Sequence, residues 1–297
     1  MVDCVDWYLP RVVFWLFRVT LDSHIGDTCA SKRQKALIEG WLLWICSLSL
    51  YNSNMTTMKH YGLIGRPLGH SASARYFTAK FEREAIDAEY TLYELPEIGA
   101  VATLLPADIE GFNVTIPYKR EIMPLLDEIS PEAQAVGAVN CVKCSGGRRV
   151  GYNTDVVGIR HSLDMLLGAE ECVKALVLGT GGASQAVQYV LAERGIEFLI
   201  VSRDRVRGNL AYEDLTPEIV AEYRLIINAT PVGMYPHVEE SPALPYDALT
   251  ERNYLFDTIY NPAQTEFLAR GERAGAHTIN GVVMFEAQAE ASWEIWN

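Results

Sequence analysis

Five polar side chains between residues 113 and 155 belong to types that transfer or orient protons. Asn113, Thr115 and Lys119 lie in GFNVTIPYKR, Asn140 lies in GAVN and Asp155 in GYNTD. A carboxylate can hold an ammonium in place, and such a pair can relay a proton to or from an alcohol near neutral pH. The sequence therefore predicts general acid-base chemistry, provided that the fold brings Lys119 and Asp155 together.

The local structure around Lys119 bears on its charge. The segment KREIMPLLDEI (119–129) is predicted as a helix, which places Lys119 in the first helical turn. The positive end of the helix dipole disfavours a charged ammonium there, and an adjacent Asp155 carboxylate would counter that effect. Taken singly, these residues also have ordinary interpretations, since Asn and Thr often cap turns and Lys usually lies in solvent.

A second polar stretch, HSASA, follows the strand-like run YGLIG. It alternates two hydroxyls, Ser71 and Ser73, with small residues. A turn followed by a helix N-cap explains this pattern without any ligand. The stretch alone therefore leaves the purpose of the two hydroxyls open.

The segment GTGGAS indicates a nucleotide site. Gly179, Gly181 and Ser184 occupy the three special positions of G-x-G-x-x-G, with serine in the last. The segment lies between a predicted buried strand and a predicted helix, where helix N-terminal amides can hold a pyrophosphate. We expect a dinucleotide here, with an ordinary tight turn as the alternative. A nicotinamide that oxidises a secondary alcohol needs a partner for the hydroxyl proton, which Lys119 and Asp155 would supply.

The residues after the next predicted strand favour one nicotinamide cofactor. An NAD-binding protein would carry an acid there to hold the ribose 2′-hydroxyl, whereas this chain has Ser202 and Arg203. A guanidinium suits a 2′-phosphate because it is permanently charged and binds two oxygens at once. NADP is therefore predicted, with Arg205 and Arg207 as possible additions. Asp204 lies close enough to weaken the preference.

An α/β fold would position the proton-transfer residues and the nucleotide loop. Strand-like and helix-like segments do alternate from Lys59 onward, as such a fold requires. The first unit has predicted strands HYGLIG, AEYTLYEL and GFNVTI, helices ARYFTAKFEREAI and PEAQAVGA, and a hairpin of AVNCVKC and RRVGYN. The second has helix VVGIRHSLDMLL and the parallel strands KALVLG, EFLIVSR, YRLIINAT and NYLFDTIY of a doubly wound, Rossmann-type sheet. We predict a substrate-binding catalytic domain at 58–155, joined by a returning C-terminal helix at 282–297, and a nucleotide-binding domain at 156–281.

Residues 1–57 differ from the rest in composition. They hold four of the six tryptophans, and their apolar clusters fall short of the roughly 18 residues that a membrane helix needs. The acidic start MVDCVDW does not resemble a signal-peptide n-region. Because a self-sufficient pattern begins at MKHYGLIG, we expect a non-native or misassigned extension, with an interfacial anchor as the alternative.

Composition narrows the class of partner. A net charge of −13 over 297 residues disfavours nucleic acid and anionic membranes as main partners. Six cysteines without regular spacing indicate reduced thiols and a cytoplasmic protein. Cys141 and Cys144 form an isolated CxxC, but residues three apart in a strand point to opposite faces, so no metal site is expected.

Seven motifs in order, covering nearly everything after residue 58, resemble the shikimate dehydrogenase family. They are GLIGRPLGHSASA, GFNVTIPYK, GAVN, GYNTD, GTGGAS, NATPVGM and NGVVMFEAQA. The resemblance implies NADPH-dependent reduction of 3-dehydroshikimate to shikimate, a step towards chorismate and the aromatic amino acids. It also implies a substrate domain, a Rossmann domain, a C-terminal helix that returns to the first domain, and a monomer or homodimer.

The resemblance also implies a role for individual residues. Lys119 and Asp155 match the catalytic pair, with Lys119 as the proton donor and acceptor. Ser71 and Ser73 match the hydroxyls that bind the shikimate carboxylate. Further substrate contacts fall on Asn113, Thr115, Asn140, Tyr260 and Gln288. Cofactor contacts fall on Gly179, Gly181, Gly182, Ala183, Ser184, Ser202, Arg203, Arg207, Thr230 and Gly281.

Two departures from the family pattern leave alternatives open. Ala74 stands where a proline is usual, and Ser202-Arg203-Asp204 replaces the usual NRT. Cofactor choice is therefore less secure than the chemistry, and a quinate/shikimate dehydrogenase with relaxed cofactor use is one alternative. A noncatalytic nucleotide-binding sensor is another, against which the intact Lys119 and Asp155 argue.

Overall fold

The described residues from 59 to 69 and from 71 to 152 form a six-stranded sheet with three helices. The strands are β1 (Lys59–Gly65), β2 (Ala88–Glu94), β3 (Ile109–Val114), β4 (Glu128–Ile129), β5 (Cys141–Ser145) and β6 (Arg148–Tyr152). The helices are α1 (Ser73–Glu84), α2 (Val101–Leu104) and α3 (Pro131–Val136). The strand order is β2-β1-β3-β5-β6-β4, and β5 is antiparallel to both its neighbours while the other pairs are parallel.

This computed structural model describes residues 58–69, 71–169 and 173–297. The predicted extension at 1–57 and its alternative as an anchor lie outside these residues.

In the hairpin between β5 and β6, Gly146 and Gly147 have φ values of +57° and +78°, a conformation that glycine adopts at little cost. The predicted hairpin is therefore confirmed.

The predicted helix over 119–129 is wrong. The segment instead forms turns, a short 3₁₀ helix at Met123–Leu125 and strand β4, which pairs with β6. Pro124 lies in the middle of the segment and lacks the N–H that a continuing helix requires. Lys119 therefore lies in a turn, and the argument from a helix dipole at this residue does not apply.

Among the described residues after 152, a five-stranded sheet and five helices follow. The strands are β7 (Ala175–Leu178), β8 (Phe198–Val201), β9 (Leu225–Asn228), β10 (Tyr254–Asp257) and β11 (His277–Ile279). The helices are α4 (Asp155–Leu167), α5 (Gly182–Glu193), α6 (Pro217–Glu222), α7 (Glu266–Arg273) and α8 (Gly281–Trp296). The order is β11-β10-β9-β7-β8, and every pair is parallel.

Helices cover both faces of this second sheet, as the doubly wound prediction requires. Along β7, Val177 packs with Val187 of α5 on one face, while Leu176 packs with Val220 of α6 and Phe267 of α7 on the other. Strands buried on both faces are typical of parallel sheets. Among the helices that the structure describes, we find none with the length and apolar character of a membrane span.

Helix α8 joins the two sheets. Near its start, Met284 lies in the core of the second sheet, and at its end Trp296 packs with Phe77 of α1 in the core of the first. The Trp296 Nε1 donates a hydrogen bond to the Val142 carbonyl of β5 at 3.0 Å. The C-terminal helix therefore returns to the first domain, as predicted, and fixes one wall between the two sheets.

Candidate active site

The structure places Lys119 and Asp155 in direct contact. Lys119 lies in the turn after β3, and Asp155 is the first residue of α4, where a helix N-terminus favours negative charge. The Lys119 Nζ lies 2.6 Å from the Asp155 Oδ2, and both side chains are largely buried. Two segments separated by 36 residues thus form one charge-assisted hydrogen bond.

Asn140 sets the orientation of the Asp155 carboxylate. Its Nδ2 donates to Asp155 Oδ1 at 2.8 Å, which leaves Oδ2 for Lys119. The Asn140 Oδ1 accepts from the Thr154 backbone N–H at 2.6 Å. The amide therefore cannot flip without losing both contacts, and the carboxylate is held from a fixed side.

A buried chain of hydrogen bonds continues from Asn140 into the first sheet. Asn140 Nδ2 also donates to Thr154 Oγ1 at 3.0 Å, and Thr154 Oγ1 lies 3.1 Å from Ser292 Oγ of α8. Asn113 Nδ2 donates to the same Ser292 Oγ at 2.9 Å, and the Tyr90 hydroxyl donates to Asn113 Oδ1 at 2.8 Å. Asn113 is therefore connected to the Lys119–Asp155 pair through side chains alone.

The hydroxyl protons in this chain have assignable acceptors. Ser292 Oγ also lies 2.9 Å from the Gln288 carbonyl, which can only accept, so the Ser292 proton points there. Ser292 Oγ can then accept from Thr154 and Asn113. The Gln288 Oε1 lies 3.4 Å from both Asn140 Nδ2 and Thr154 Oγ1, so this predicted substrate ligand borders the chain.

Sequence reasoning missed Thr154 and Ser292. Thr154 adjoins Asp155, and Ser292 lies four residues after Gln288 and so on the same helix face. Both positions could have been noticed in the sequence, but only the return of α8 to the first sheet shows that the two hydroxyls meet.

Ser71 and Ser73 lie half-buried where the chain enters α1. The Ser71 Oγ accepts from the Ser73 backbone N–H at 3.2 Å, and the Ser73 side chain hydrogen-bonds to Tyr90, which also binds Asn113. Burial raises the pKa of Tyr90 well above its usual value, so its hydroxyl stays protonated and can donate. Ser73 is thereby linked to the chain that ends at Lys119.

Thr115 and Tyr260, two further predicted substrate contacts, lie on different elements. Thr115 is half-buried at the end of β3, where its N–H donates to the Ile64 carbonyl at 2.9 Å. Tyr260 follows β10, and its ring centre lies 4.9 Å from that of Phe285 on α8. Phe285 in turn packs edge-on against Tyr76 of α1, at 5.6 Å. Two aromatic contacts through Phe285 therefore link Tyr260, after β10, to the helix that begins at Ser73.

The glycine-rich loop connects β7 to α5 as predicted. Gly179 has φ of +106°, and a Cβ there would lie 2.8 Å from Thr230 Cγ2. A Cβ at Gly181, the N-cap residue of α5, would meet no atom of the described residues within 4 Å, so the loop presents an open backbone surface at the helix N-terminus. Such a surface fits a pyrophosphate. Ser184 is buried and donates to the Gly179 carbonyl at 2.7 Å, so it braces the loop.

The same loop meets the acid-base pair. A Cβ at Gly182 would lie 3.3 Å from Lys119 Cδ, so the aliphatic stem of the lysine passes directly beside the start of α5. Ala183 follows, half-buried in the first turn of that helix. The predicted nucleotide loop and the predicted proton-transfer group are therefore neighbours.

Two arginines at the end of β8 are unpaired within the described residues. Arg203 and Arg207 are exposed and have no carboxylate partner there, whereas Arg205 binds Asp214 through both guanidinium nitrogens at 2.8 and 2.9 Å. Ser202 Oγ accepts from the Asp204 N–H at 3.1 Å, and Asp204 Oδ1 accepts from the Val206 N–H at 2.9 Å. Asp204 therefore caps the turn. These features fit a 2′-phosphate.

Gly281 and the CxxC pair complete the predicted residues. A Cβ at Gly281 would lie 2.3 Å from the Thr258 carbonyl oxygen, so only glycine fits at the start of α8.

Cys141 lies in the core shared with Trp296, and Cys144 packs against the opposite face of the sheet. Burial raises the pKa of the Cys141 thiol to about 12 and of the Cys144 thiol to about 11. Both stay protonated, and their opposite faces prevent a shared metal ion.

Comparison with known proteins agrees with the resemblance in the motifs. A family model described as the shikimate dehydrogenase substrate binding domain matches residues 63–142. A shikimate dehydrogenase (NADP(+)) from Methanococcus maripaludis is 36% identical over 255 residues, which cover 80% of this chain and 91% of the relative.

Solved structures give the same result for the whole described fold. Shikimate 5-dehydrogenase from Thermus thermophilus in complex with NADP(H) and shikimate has a TM-score of 0.72 at 32% identity, covering 81% of this chain and 94% of that one. Quinate dehydrogenase from Corynebacterium glutamicum in complex with NAD has a TM-score of 0.73 at 26% identity, covering 80% and 93%. By sequence identity and by fold, the chain belongs to the shikimate dehydrogenase family.

Proposed function

We propose that this protein is an NADP-dependent shikimate 5-dehydrogenase, which reversibly reduces 3-dehydroshikimate to shikimate for chorismate and aromatic amino acid biosynthesis. The observation that carries the proposal is the contact of Lys119 Nζ with Asp155 Oδ2 at 2.6 Å, directly beside the glycine-rich loop. Family relatives named as NADP-dependent shikimate dehydrogenases support the same substrate and cofactor.

Lys119 is the proposed proton donor and acceptor. NADPH, when bound, supplies a hydride to the carbonyl carbon, and the carbonyl oxygen must then receive a proton. The Lys119 ammonium delivers that proton from Nζ, and in the reverse direction the neutral amine removes the hydroxyl proton. Asp155 holds Nζ at one position, and Asn140 in turn holds Asp155.

The first sheet supplies the proposed substrate contacts. Ser71 and Ser73 would bind the carboxylate, because two hydroxyls beside small residues let an anion approach closely. Asn140 and Gln288 would bind ring hydroxyls, together with Thr115, Asn113 and Tyr260. Asn113 already uses both Nδ2 hydrogens on protein acceptors, so it can only accept from the substrate.

The second sheet supplies the proposed cofactor contacts. The loop before α5 and the first turn of that helix suit the pyrophosphate. They comprise Gly179, Gly181, Gly182, Ala183 and Ser184. Ser202, Arg203 and Arg207 would hold the 2′-phosphate, Thr230 would be a further cofactor contact, and Gly281 would approach the nicotinamide. The open Cβ direction at Gly181 and the lack of a carboxylate partner for Arg203 and Arg207 among the described residues support this fit.

The proposal also covers the domain bounds, the cellular location and the partners of the protein. We assign 58–155 with 282–297 to the substrate-binding catalytic domain and 156–281 to the NADP-binding domain. A net charge of −13 and buried, protonated thiols are consistent with a cytoplasmic enzyme, monomeric or homodimeric, whose partners are small molecules. Neither nucleic acid nor a membrane is proposed as a partner.

One steady-state experiment separates this function from its nearest rival. Rates are measured with shikimate and with quinate, each with NADP+ and with NAD+. We expect shikimate with NADP+ to give the highest kcat/KM. The likeness to a quinate dehydrogenase makes the comparison necessary, and a clear preference for quinate with NAD+ would contradict the proposal. Ligand binding without turnover would instead favour a noncatalytic sensor.

A further inference from the structure

Two fully buried polar side chains, Asn228 and Asp257, lie side by side at the carboxyl ends of β9 and β10. The parallel register pairs the two residues directly, and neither side chain reaches solvent. Asn228 Nδ2 donates to Asp257 Oδ1 at 3.1 Å. Ligands of open parallel sheets bind outside the carboxyl ends of the strands. The pair therefore lies directly beneath the proposed ligand sites.

Asn228 fixes the segment that follows β9. Its Oδ1 accepts from the Thr230 N–H at 3.1 Å and from the Thr230 hydroxyl at 2.6 Å. Its Nδ2 donates a second bond to the Val232 carbonyl at 3.2 Å. With the bond to Asp257, every donor and acceptor position of this amide has a protein partner. The orientation of Thr230, a proposed cofactor contact, is therefore set by Asn228.

Asp257 fixes the segment that follows β10. Its Oδ1 also accepts from the Ile259 N–H at 3.0 Å, and its Oδ2 accepts from the Thr265 hydroxyl at 2.6 Å. Thr265 Oγ1 itself accepts from the Leu268 N–H at the start of α7, so its proton points to Asp257. The loop between these anchors carries Tyr260, a proposed substrate contact.

The same loop also reaches the start of α8. The Gly281 N–H donates to the Ile259 carbonyl at 2.9 Å, and a Cβ at Gly281 would collide with the Thr258 carbonyl. The position of Gly281, another proposed cofactor contact, therefore depends on the backbone that Asp257 anchors.

We propose that Asn228 and Asp257 form one positioning pair that fixes Thr230, Tyr260 and Gly281 relative to one another, so that the cofactor and substrate contacts depend on a single buried unit. This inference rests on the proposed function for the roles of those three residues. The pair itself touches neither ligand, and it acts through the segments that it anchors.

The chemistry of the pair requires a carboxylate. Asp257 accepts from three donors, which are Asn228 at the end of β9, the Ile259 N–H in the loop after β10, and the Thr265 hydroxyl at the start of α7. An amide of the same shape has only one acceptor oxygen, so its NH2 group would face either the Thr265 hydroxyl proton or the Asn228 and Ile259 N–H groups, and a donor would lose its acceptor in either orientation. Burial raises the pKa of Asp257 to about 6, so the charge is costly to maintain at neutral pH. Its three donors compensate only in part.

The test compares two substitutions at opposite ends of β10. One replaces a buried carboxylate by an amide, and the other replaces a buried amide by a carboxylate. Asp257→Asn removes the charge and one of the two acceptor oxygens at the carboxyl end. The control is Asn253→Asp at the amino end, where a buried amide bonds the Val220 carbonyl and the Thr250 N–H. Equilibrium binding of NADP+ and of shikimate is followed by tryptophan fluorescence. We expect D257N to weaken both affinities about tenfold, the scale of one lost hydrogen bond to a charged group, and N253D to leave both unchanged.

Hydrogen exchange of the unliganded protein gives a second readout that does not depend on the ligands. D257N should speed exchange at both 229–232 and 258–264, and N253D at neither. Should the wild-type protein bind neither ligand, the proposed function fails, and the exchange data still decide whether the pair couples the two segments. If D257N does not fold, Thr265→Val replaces it, with Thr265→Ser expected to restore wild-type behaviour. Unchanged affinities, or faster exchange in one segment only, would overturn the proposal.

Discussion

The Asn140 Nδ2 lies 2.8 Å from the Asp155 Oδ1, on the side of the carboxylate away from Lys119. Each oxygen of Asp155 thus has one strong donor, and neither donor can replace the other. Because Asn140 holds one oxygen, the second is presented to the ammonium at a fixed position. The proton-transfer group is therefore oriented before any ligand binds.

Removal of the ammonium tests the chemistry directly. In Lys119→Ala, ligand binding should persist while kcat for shikimate oxidation falls by about 10² or more, the scale of general acid-base assistance. Lys174→Ala is the control, since this lysine pairs with surface glutamates, Glu197 and Glu222. Rates are measured at saturating shikimate and NADP+. Equal kcat in wild type and Lys119→Ala would remove this lysine from the mechanism.

The two serines at the start of α1 should govern substrate affinity. Ser71→Ala and Ser73→Ala should each raise the KM for shikimate about tenfold, because a hydrogen bond to a charged group is lost, with a smaller change in kcat. Ser130→Ala is the matched control. Ser130 caps α3 through the Ala133 N–H, so its loss should lower stability by about 1 kcal/mol and leave KM unaltered. A KM that stays constant in both test variants would place the carboxylate elsewhere.

Cofactor choice should depend on Arg203 and Arg207 but not on Arg205. Arg203→Ala and Arg207→Ala should each raise the KM for NADP+ about tenfold and change that for NAD+ little, because only NADP+ carries the 2′-phosphate. Arg205→Ala should change neither KM, since this guanidinium is already bound to Asp214. Loss of NADP+ affinity in Arg205→Ala alone would reverse this assignment.

The hydrogen-bond chain through α8 predicts a stability difference between two buried serines. Ser292 and Ser162 both donate to the carbonyl four residues earlier, but Ser292 also contacts Asn113 and Thr154. Ser292→Ala removes one hydrogen bond from each of these buried groups and should lower the free energy of unfolding by about 1–3 kcal/mol. Urea unfolding of both alanine variants measures the difference. Equal losses in Ser292→Ala and Ser162→Ala would show that the chain adds no stability.

Local signals in the sequence predicted much of this arrangement, and the failures have a common cause. Gly179 and Gly181 were found because a strand, a tight turn and a helix are adjacent in the chain. The helix assigned after Lys119 was wrong because Pro124 and the pairing of β4 with β6 outweigh the local apolar spacing. Ser292 was missed because its partners lie 138 and 179 residues away along the chain, and no local pattern indicates such a contact.

The buried carboxylate of Asp257 predicts a pH-dependent stability with a definite sign. Burial raises its pKa from 3.8 to about 6, so between these values the folded protein holds a proton that the unfolded chain has released. The stability that this group contributes is therefore complete below about pH 4 and is lost as the pH rises to about 6.

Comparison with Asp257→Asn isolates this effect, because all other titrating groups are common to both proteins. The nearby Tyr246 phenol, with a pKa raised to about 12 by burial, stays neutral throughout this range. From pH 4 to pH 7, the difference in free energy of unfolding should shift by roughly 2.5 kcal/mol in favour of the variant. Urea unfolding of both proteins at several pH values measures it. A difference that does not vary with pH would show that Asp257 remains ionised, stabilised by its donors, over the whole range.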